Sequence, residues 1–104
     1  MTEERKCSKQ TLRLLASLIE RPTAWRHGYE LASATSLKSG TLYPILMRLA
    51  ERELLDAKWE AHEFGGRPPR HLYRLSGVGV GWARQMLRQR EPRERLVTSH
   101  RGAT

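Results

Sequence analysis

The sequence predicts one small domain that is mainly α-helical and carries a single β-hairpin. Three observations support this fold class. Apolar residues recur at helical spacing in the first half of the chain, and they alternate with polar residues between positions 54 and 60. The length of 104 residues leaves room for one hydrophobic core and little more. The expected order is three helices, a hairpin and a last helix.

The first helix is expected over residues 8 to 20. Ser8 is the predicted N-cap, and the proline at position 22 ends the helix because it disfavours helical dihedrals at Arg21. The stripe predicted to face the core contains Leu12, Leu15, Ala16 and Ile19. A short second helix is expected over residues 25 to 34, with Gly28, Leu31 and Ala32 on one face.

The third helix repeats the same spacing with Leu42, Ile45, Leu46 and Leu49. Ser39 is its predicted N-cap. Pro44 lacks an N–H, so it is expected in the first turn, which places the start of the helix close to Gly40 or Thr41.

Period two replaces the helical spacing after the third helix. Leu55, Ala57 and Trp59 are predicted to share the buried face of a strand over residues 54 to 60. A second strand is expected over residues 70 to 75, with Tyr73 and Leu75 on one face. The segment between them is rich in Gly and Pro, so the two strands are predicted to form a hairpin with a long basic tip.

Ser76 is predicted to cap a last helix that runs to about residue 89. Its apolar residues cover about 200° of the circumference, roughly twice the usual core-facing stripe. Half of this arc can pack on its own domain and half on a second copy of the chain. The residues predicted to dimerise are Leu12, Leu15, Trp82, Met86 and Leu87. Residues 1–7 are interpreted as an N-terminal arm, 8–75 as the main domain, 76–90 as the dimerisation helix and 91–104 as a disordered basic tail.

The charge favours a polyanionic partner. Nineteen Lys and Arg residues against eleven Asp and Glu give a formal net charge of +8 and a pI of about 10.6. Nucleic acid is the first candidate and an acidic membrane surface the second. No apolar run approaches the roughly 18 residues of a membrane span, and residues 1–10 do not resemble a secretory signal. These features predict a cytoplasmic protein, in which the single cysteine, Cys7, makes no internal disulfide.

The order of elements is that of a winged helix-turn-helix, in which the third helix enters the major groove of DNA. The residues predicted to bind DNA from this helix are Lys38, Ser39, Thr41, Tyr43 and Arg48. Arg67 and Arg70 are predicted to bind DNA from the wing, where the hairpin tip holds them outward. The alternatives are that Ser39 is only a cap, that Tyr43 only packs, and that the tip is only solvated.

Three segments carry a family resemblance: HGYELA at 27–32, SGTLYPILMRL at 39–49 and GRPPRHLYRLSGVG at 66–79. They resemble the PadR-type transcriptional regulators over about residues 10 to 90. The resemblance implies a dimeric repressor that binds an inverted repeat, with DNA contacts from Ser39, Thr41, Tyr43, Arg67 and Arg70. It also implies dimerisation through the C-terminal helix and, in some members, a response to small aromatic effectors. This chain has only one helix after the wing, so a small dimer interface is expected.

Other functions have weaker support. The sequence shows no nucleophile with its base, no phosphate-binding loop and no metal-ligand set, so an enzyme, a metal site and a cofactor are not predicted. A winged helix that binds only proteins remains the alternative function. Trp25, Trp59 and Trp82 are interpreted as core or interface residues. Paired copies of Trp82 could flank a flat effector, and Tyr29 either packs between helices or contacts a phosphate, with packing slightly favoured.

Overall fold

The computed structural model describes residues 7–60 and 69–89 and confirms a winged-helix fold of mainly α-helical class. Three parts of the prediction lie outside these residues: positions 1–6 of the arm, positions 61–68 at the wing tip, and the chain from position 90 onward, which includes the predicted tail. In chain order the elements are α1 (Lys9–Glu20), β1 (Arg26–His27), α2 (Gly28–Thr35), α3 (Ser39–Glu51), β2 (Leu55–Trp59), β3 (His71–Leu75) and α4 (Gly77–Arg88). No helix in the described part of the chain is long and apolar enough to cross a membrane.

The sheet has three antiparallel strands in the order β1-β3-β2, one strand more than predicted. The extra strand replaces the first turn of the predicted second helix, which in fact begins at Gly28. Arg26 explains the change, because it is only 4% exposed and donates hydrogen bonds to the backbone and side-chain oxygens of Ser17 at 3.0 and 3.2 Å. A guanidinium that reaches α1 in this way needs the extended backbone of a strand, paired with Tyr73 of β3.

The buried face of α1 differs from the predicted stripe. Leu14, Leu15 and Leu18 are buried, whereas Leu12, Ala16 and Ile19 are only half-buried. The run of apolar residues in this helix permits two overlapping stripes. Packing of α1 against both α2 and α4 selects the one that contains Leu14 and Leu18. The prediction of Ser8 as N-cap is confirmed, since its hydroxyl accepts from the Thr11 N–H at 3.0 Å.

The recognition helix of the predicted fold, α3, buries Leu42, Ile45, Leu46 and Leu49 as predicted. It begins at Ser39, with Lys38 at the N-cap position and no side-chain cap, so the prediction of Ser39 as the cap is wrong. Pro44 consequently lies inside the helix. The prediction that Pro44 lies in the first turn is therefore wrong, and the helix lacks the hydrogen bond that an N–H at position 44 would donate to the carbonyl of Gly40.

The β2–β3 hairpin forms the wing. Leu55 pairs with Leu75 next to the core, and both are buried as predicted. Ala57 and Trp59 continue the same face of β2, but both are exposed, Trp59 by 63%. The prediction gave their face correctly and their burial wrongly, because the wing extends beyond the part of the core that α3 fills.

The last helix starts as predicted, with the Ser76 hydroxyl accepting from the Gly79 N–H at 2.9 Å. Gly79, Ala83 and Met86 face the core, and Val80, Trp82 and Leu87 are half-buried beside them. The same Ser76 hydroxyl donates to the carbonyl of Glu53 at 2.8 Å, which ties the start of α4 to the segment between α3 and β2. The wing is therefore held between two helices.

Candidate nucleic-acid interface

The first turn of α3 presents polar side chains to solvent. Lys38, Ser39 and Thr41 are exposed, while four buried aliphatic residues support the helix from behind. At 3.6 residues per turn, Thr41 and Arg48 lie on one flank of α3 and Tyr43 lies about 160° away on the other. Ser39, four residues before Tyr43 and about 40° from it, lies on the Tyr43 flank. The structure therefore places Lys38, Ser39 and Thr41 in one turn, but it separates Tyr43 from Thr41 and Arg48 by the width of the helix.

Tyr43 packs against α2. Its side chain is 39% exposed, and a methyl group on Gly28 would lie 2.6 Å from its ring carbon Cζ. The glycine at this position is therefore required for the ring to approach the start of α2. Tyr43 sets the spacing of the two helices and keeps only part of its surface for another molecule.

The N-terminus of α3 also offers backbone donors. The Thr41 and Leu42 N–H groups are already bonded to the carbonyl of Lys38, at 2.9 and 2.8 Å, so the donors left open at this end are the N–H groups of Ser39 and Gly40. No side chain caps the helix. The first N–H groups of an uncapped helix carry partial positive charge and attract anions. Lys38 adds a full charge at the same end.

Arg70 differs from the prediction in its surroundings. It forms a bidentate ion pair with Glu60, with its Nε and Nη2 atoms 3.2 and 3.0 Å from the two carboxylate oxygens. The hydrogen bond with Glu60 raises the pKa of Arg70 above its ordinary value. The Glu60 N–H also donates to the Arg70 carbonyl at 2.7 Å. Arg70 thus closes the base of the wing tip, and the predicted Arg67 lies outside the described residues.

Tyr29 was not among the predicted DNA-binding residues, yet it is 78% exposed at the start of α2. Its ring stacks on His27 at 6.5 Å between centroids. The interpretation that Tyr29 packs between helices is therefore wrong, and Tyr43 occupies that place. The signal in the sequence was Gly28, which precedes Tyr29. A glycine at this position leaves room for the ring of Tyr43 on α3 to pack against α2, while the ring of Tyr29 stays exposed to solvent.

The three tryptophans have different surroundings. Trp25 lies beneath two cations, with Lys58 Nζ 4.5 Å and Arg74 Cζ 4.3 Å from its ring centroid. Trp82 is half-buried and carries Arg52 at 5.0 Å. Trp59 is exposed and does not belong to the core. Sequence spacing gave no sign of these cation–π contacts, because each joins separate elements.

The residues predicted to dimerise divide into two groups. Leu15 and Met86 lie in the core of the single chain and have almost no surface left for a partner. Leu12, Trp82 and Leu87 are half-buried and pack at the edge of the core. The second group, on α1 and α4, is the one that keeps exposed apolar surface in the single chain.

Within residues 7–60 and 69–89, no three His, Cys, Asp or Glu side chains come together as metal ligands. Burial raises the pKa of the Cys7 thiol, although Arg52 opposes this, so the thiol is not activated as a nucleophile.

A family model described as "Transcriptional regulator PadR-like family" matches residues 14–81. Among solved structures, the chain is similar to a PadR-like transcription factor from Bacteroides fragilis, with 22% identity, a TM-score of 0.62 and coverage of 90% of this chain and 88% of the other. It is similar to MepR of Staphylococcus aureus in its DNA-binding conformation, with 15% identity, a TM-score of 0.71 and coverage of 94% and 69%.

A third solved structure is NadR in complex with 4-hydroxyphenylacetate. It has 16% identity and a TM-score of 0.67, and the match covers 93% of this chain and 64% of that one. The comparison with curated proteins finds no match. At these identities the solved structures show the winged-helix fold, and the family model shows the kind of protein.

Proposed function

Because the chain belongs to the PadR-like family of transcriptional regulators, we propose that it binds a specific double-stranded DNA site through the first turn of α3. The family consists of regulators rather than enzymes, which confirms the prediction that the chain is not an enzyme. The observation that carries the DNA-binding proposal is the exposed first turn itself. A solvent-exposed cation and two hydroxyl groups stand at an uncapped helix N-terminus, on a helix fixed by four buried side chains.

Each side chain has a separate part in this proposal. Lys38 and the free N–H groups of the first turn hold phosphates, which gives affinity without sequence preference. Ser39 and Thr41 reach the base edges, since a recognition helix enters the groove by its N-terminal end. Arg48 follows on the Thr41 flank, and Tyr29 and the open edge of Tyr43 lie on the α2 side. Arg67 and Arg70 stay assigned to the wing contact, with Arg70 also holding the wing in shape.

The proposal includes a symmetric dimer. Leu12, Trp82 and Leu87 leave part of their apolar surface uncovered on adjacent helices, and Val78 of α4 is exposed. A two-fold axis there would place two α3 helices on half-sites of one inverted repeat. Sedimentation tests this directly: we expect a dimer at micromolar concentration that Trp82→Ala and Leu87→Ala weaken. A monomeric wild-type protein would contradict it.

A small aromatic effector also belongs to this proposal. Trp82 lines a cleft of about 240 Å³ together with Arg48, Arg52 and residues at the start of α1. Two guanidinium groups beside an indole ring suit an aromatic anion, and one solved neighbour was crystallised with 4-hydroxyphenylacetate. Arg48 connects this cleft to the DNA-binding helix. We propose that the chain is a cytoplasmic repressor and that an aromatic effector in this cleft regulates its binding to DNA.

The experiment begins with random duplexes selected by the pure protein, followed by fluorescence anisotropy on the selected site at several salt concentrations. Affinity should fall with a log–log slope of about −0.9 for each phosphate contact. Lys38→Ala should reduce this slope by about one and leave sequence preference intact. Thr41→Val should cost roughly 1 to 3 kcal/mol on the selected site and little on random DNA.

The matched control is Lys9→Ala, which removes the same exposed charge from α1, an element without a proposed DNA contact. Its salt slope should equal that of the wild-type protein. Equal losses for Lys9→Ala and Lys38→Ala would assign the binding to net charge alone. A selected pool with no preferred sequence would favour the alternative of a protein-binding winged helix.

A further inference from the structure

A second cleft, of about 470 Å³, lies between α3 and the wing. We call it the wing cleft. Its lining comes from two elements that face each other, and the residues are Tyr43, Leu46, Met47, Ala50 and Glu51 of α3 and Ala57, Trp59, His71 and Tyr73 of the wing. A volume in this range accommodates a small organic molecule.

The cleft exists because the core face of the wing continues past the core. Leu55 and Leu75 are buried, and the next pair on this face is Ala57 opposite Tyr73, followed by Trp59 opposite His71. On the facing helix, the lining includes the small side chain of Ala50. Two alanines leave the space between the elements unfilled, with the fully buried Leu46 as its floor.

Stacked rings form the wing side of the cleft. Trp59 and His71 lie 3.9 Å apart at 24°, and His71 and Tyr73 lie 5.6 Å apart at 59°. The Tyr73 hydroxyl and His71 Nδ1 are 3.4 Å apart, so a hydrogen bond also joins these two side chains. Tyr43 approaches from α3. Aromatic faces in this number favour a flat ligand and attract positive charge.

Glu51 supplies the formal charge of the lining. Within residues 7–60 and 69–89, neither Lys nor Arg lines the cleft and no cation pairs with Glu51. An unpaired carboxylate among aromatic faces repels phosphate and attracts a cation. The wing cleft is therefore chemically unlike the first turn of α3, and its carboxylate, Glu51, lies about 18 Å along the helix from Ser39 at 1.5 Å per residue.

We propose that the wing cleft binds a planar aromatic cation, whose ring stacks on the Trp59, His71 and Tyr73 side and whose charge faces Glu51. The ligand would lie between the two elements that a winged helix applies to DNA, and would change the angle between them. Its occupancy then opposes DNA binding. This regulatory consequence rests on the proposed function, whereas the site itself does not.

The site is tested with two bicyclic probes of similar shape and opposite charge, N-methylquinolinium and 2-naphthoate. The measurement is a titration of the ¹⁵N-labelled full-length protein without DNA, followed through the indole N–H resonances of the three tryptophans. N-methylquinolinium should shift the Trp59 resonance and leave Trp25 and Trp82 within error. 2-Naphthoate should bind at this site at least tenfold more weakly.

Glu51→Gln should weaken binding of N-methylquinolinium at least threefold and reduce the difference between the two probes. Glu53→Gln is the matched control. It also removes one negative charge, only two residues from Glu51, but the Glu53 side chain is not among the residues that line the cleft. It should leave the dissociation constant unchanged. Equal effects of the two variants, a Trp82 response to the cation, or no Trp59 response at millimolar probe would each overturn the proposal.

Anisotropy on a selected duplex then tests the regulatory part. Saturating N-methylquinolinium should weaken DNA binding by the wild-type protein and have a smaller effect on Glu51→Gln at the same probe concentration. Binding of the probe without any loss of DNA affinity would overturn the antagonism and leave the site intact. Failure of the protein to select DNA at all would instead count against the proposed function.

Discussion

Two of the three glycines of helix α4, Gly79 and Gly81, should respond in opposite directions to substitution by alanine. A methyl group on Gly79 would lie 2.8 Å from the carbonyl carbon and 3.2 Å from the Cα of Leu54, and closer still to the carbonyl oxygen. A methyl group on Gly81 has no neighbour within 4 Å. The obstacle at Gly79 is backbone, so a side-chain rotation cannot remove it.

The magnitude follows from what must move. Relief requires α4 to shift away from Leu54, which strains the bond from the Ser76 N–H to the Leu54 carbonyl (3.1 Å) and the bond from the Ser76 hydroxyl to Glu53. Overpacking costs typically about 1 to 3 kcal/mol, and each weakened hydrogen bond adds up to about 1 kcal/mol. Alanine returns about 0.5 to 1 kcal/mol of helix propensity. We expect Gly79→Ala to lose about 2 kcal/mol and Gly81→Ala to gain about 0.5 to 1 kcal/mol.

The assay is thermal unfolding followed by circular dichroism, at one protein concentration because the stability of a dimer depends on concentration. At about 4 to 8 °C per kcal/mol for a domain of this size, Gly79→Ala should melt roughly 8 to 16 °C below the wild-type protein. If Gly79→Ala proves as stable as Gly81→Ala, the close packing of α4 on the start of the wing is refuted.

Three further results are expected. The first is a double-mutant cycle measured on the selected duplex. Gly28→Ala should weaken DNA binding more in the wild-type protein than in the Tyr43→Ala background, because the added methyl group displaces the Tyr43 ring. Additive losses from the two substitutions would contradict a contact between Gly28 and Tyr43. Arg26→Ala should destabilise the fold by about 3 kcal/mol, because its buried partners lose their donors. The control is Arg21→Ala, since Arg21 contacts the same Glu30 from an exposed position. It should destabilise the fold by no more than about 0.5 kcal/mol. Burial raises the pKa of the Cys7 thiol and of the Tyr73 hydroxyl, and the nearby Tyr43 raises the Tyr73 pKa further. The folded chain therefore holds these two protons more tightly than the unfolded chain. The free energy of unfolding should accordingly fall as the pH rises above the ordinary thiol pKa of 9.0. Tyr73→Phe should flatten that decline above pH 10, and an unchanged slope would exclude Tyr73 as its source.

Local signals in the sequence predicted the elements that local chemistry determines. Ser8 and Ser76 each cap the helix that follows, and their hydroxyls are within reach of the third residue on. The four aliphatic residues of α3 gave its buried face, because only one stripe is possible there. The alternation in the wing gave the correct face of β2.

Long-range contacts determined what the sequence could not show. Arg26 looks like a surface residue until the oxygen atoms of Ser17 are brought beside it, and only then does the adjacent segment become a strand. Trp59 was expected in the core because strand periodicity reports the direction of a side chain and not what lies opposite. The partner of Arg70 is Glu60, across the wing loop, so spacing alone could not distinguish a clamp from a free cation.

The most direct test of the central claim is thiol protection at the first turn of α3. In a Cys7→Ser background, single cysteines replace Gly40 on α3 and Gly81 on α4, two positions with open space around the new side chain. Saturating duplex should slow alkylation of the Gly40→Cys variant at least tenfold and change that of Gly81→Cys by less than twofold. Protection of Gly81→Cys with free reaction at Gly40→Cys would contradict the assignment of α3 as the element that enters DNA.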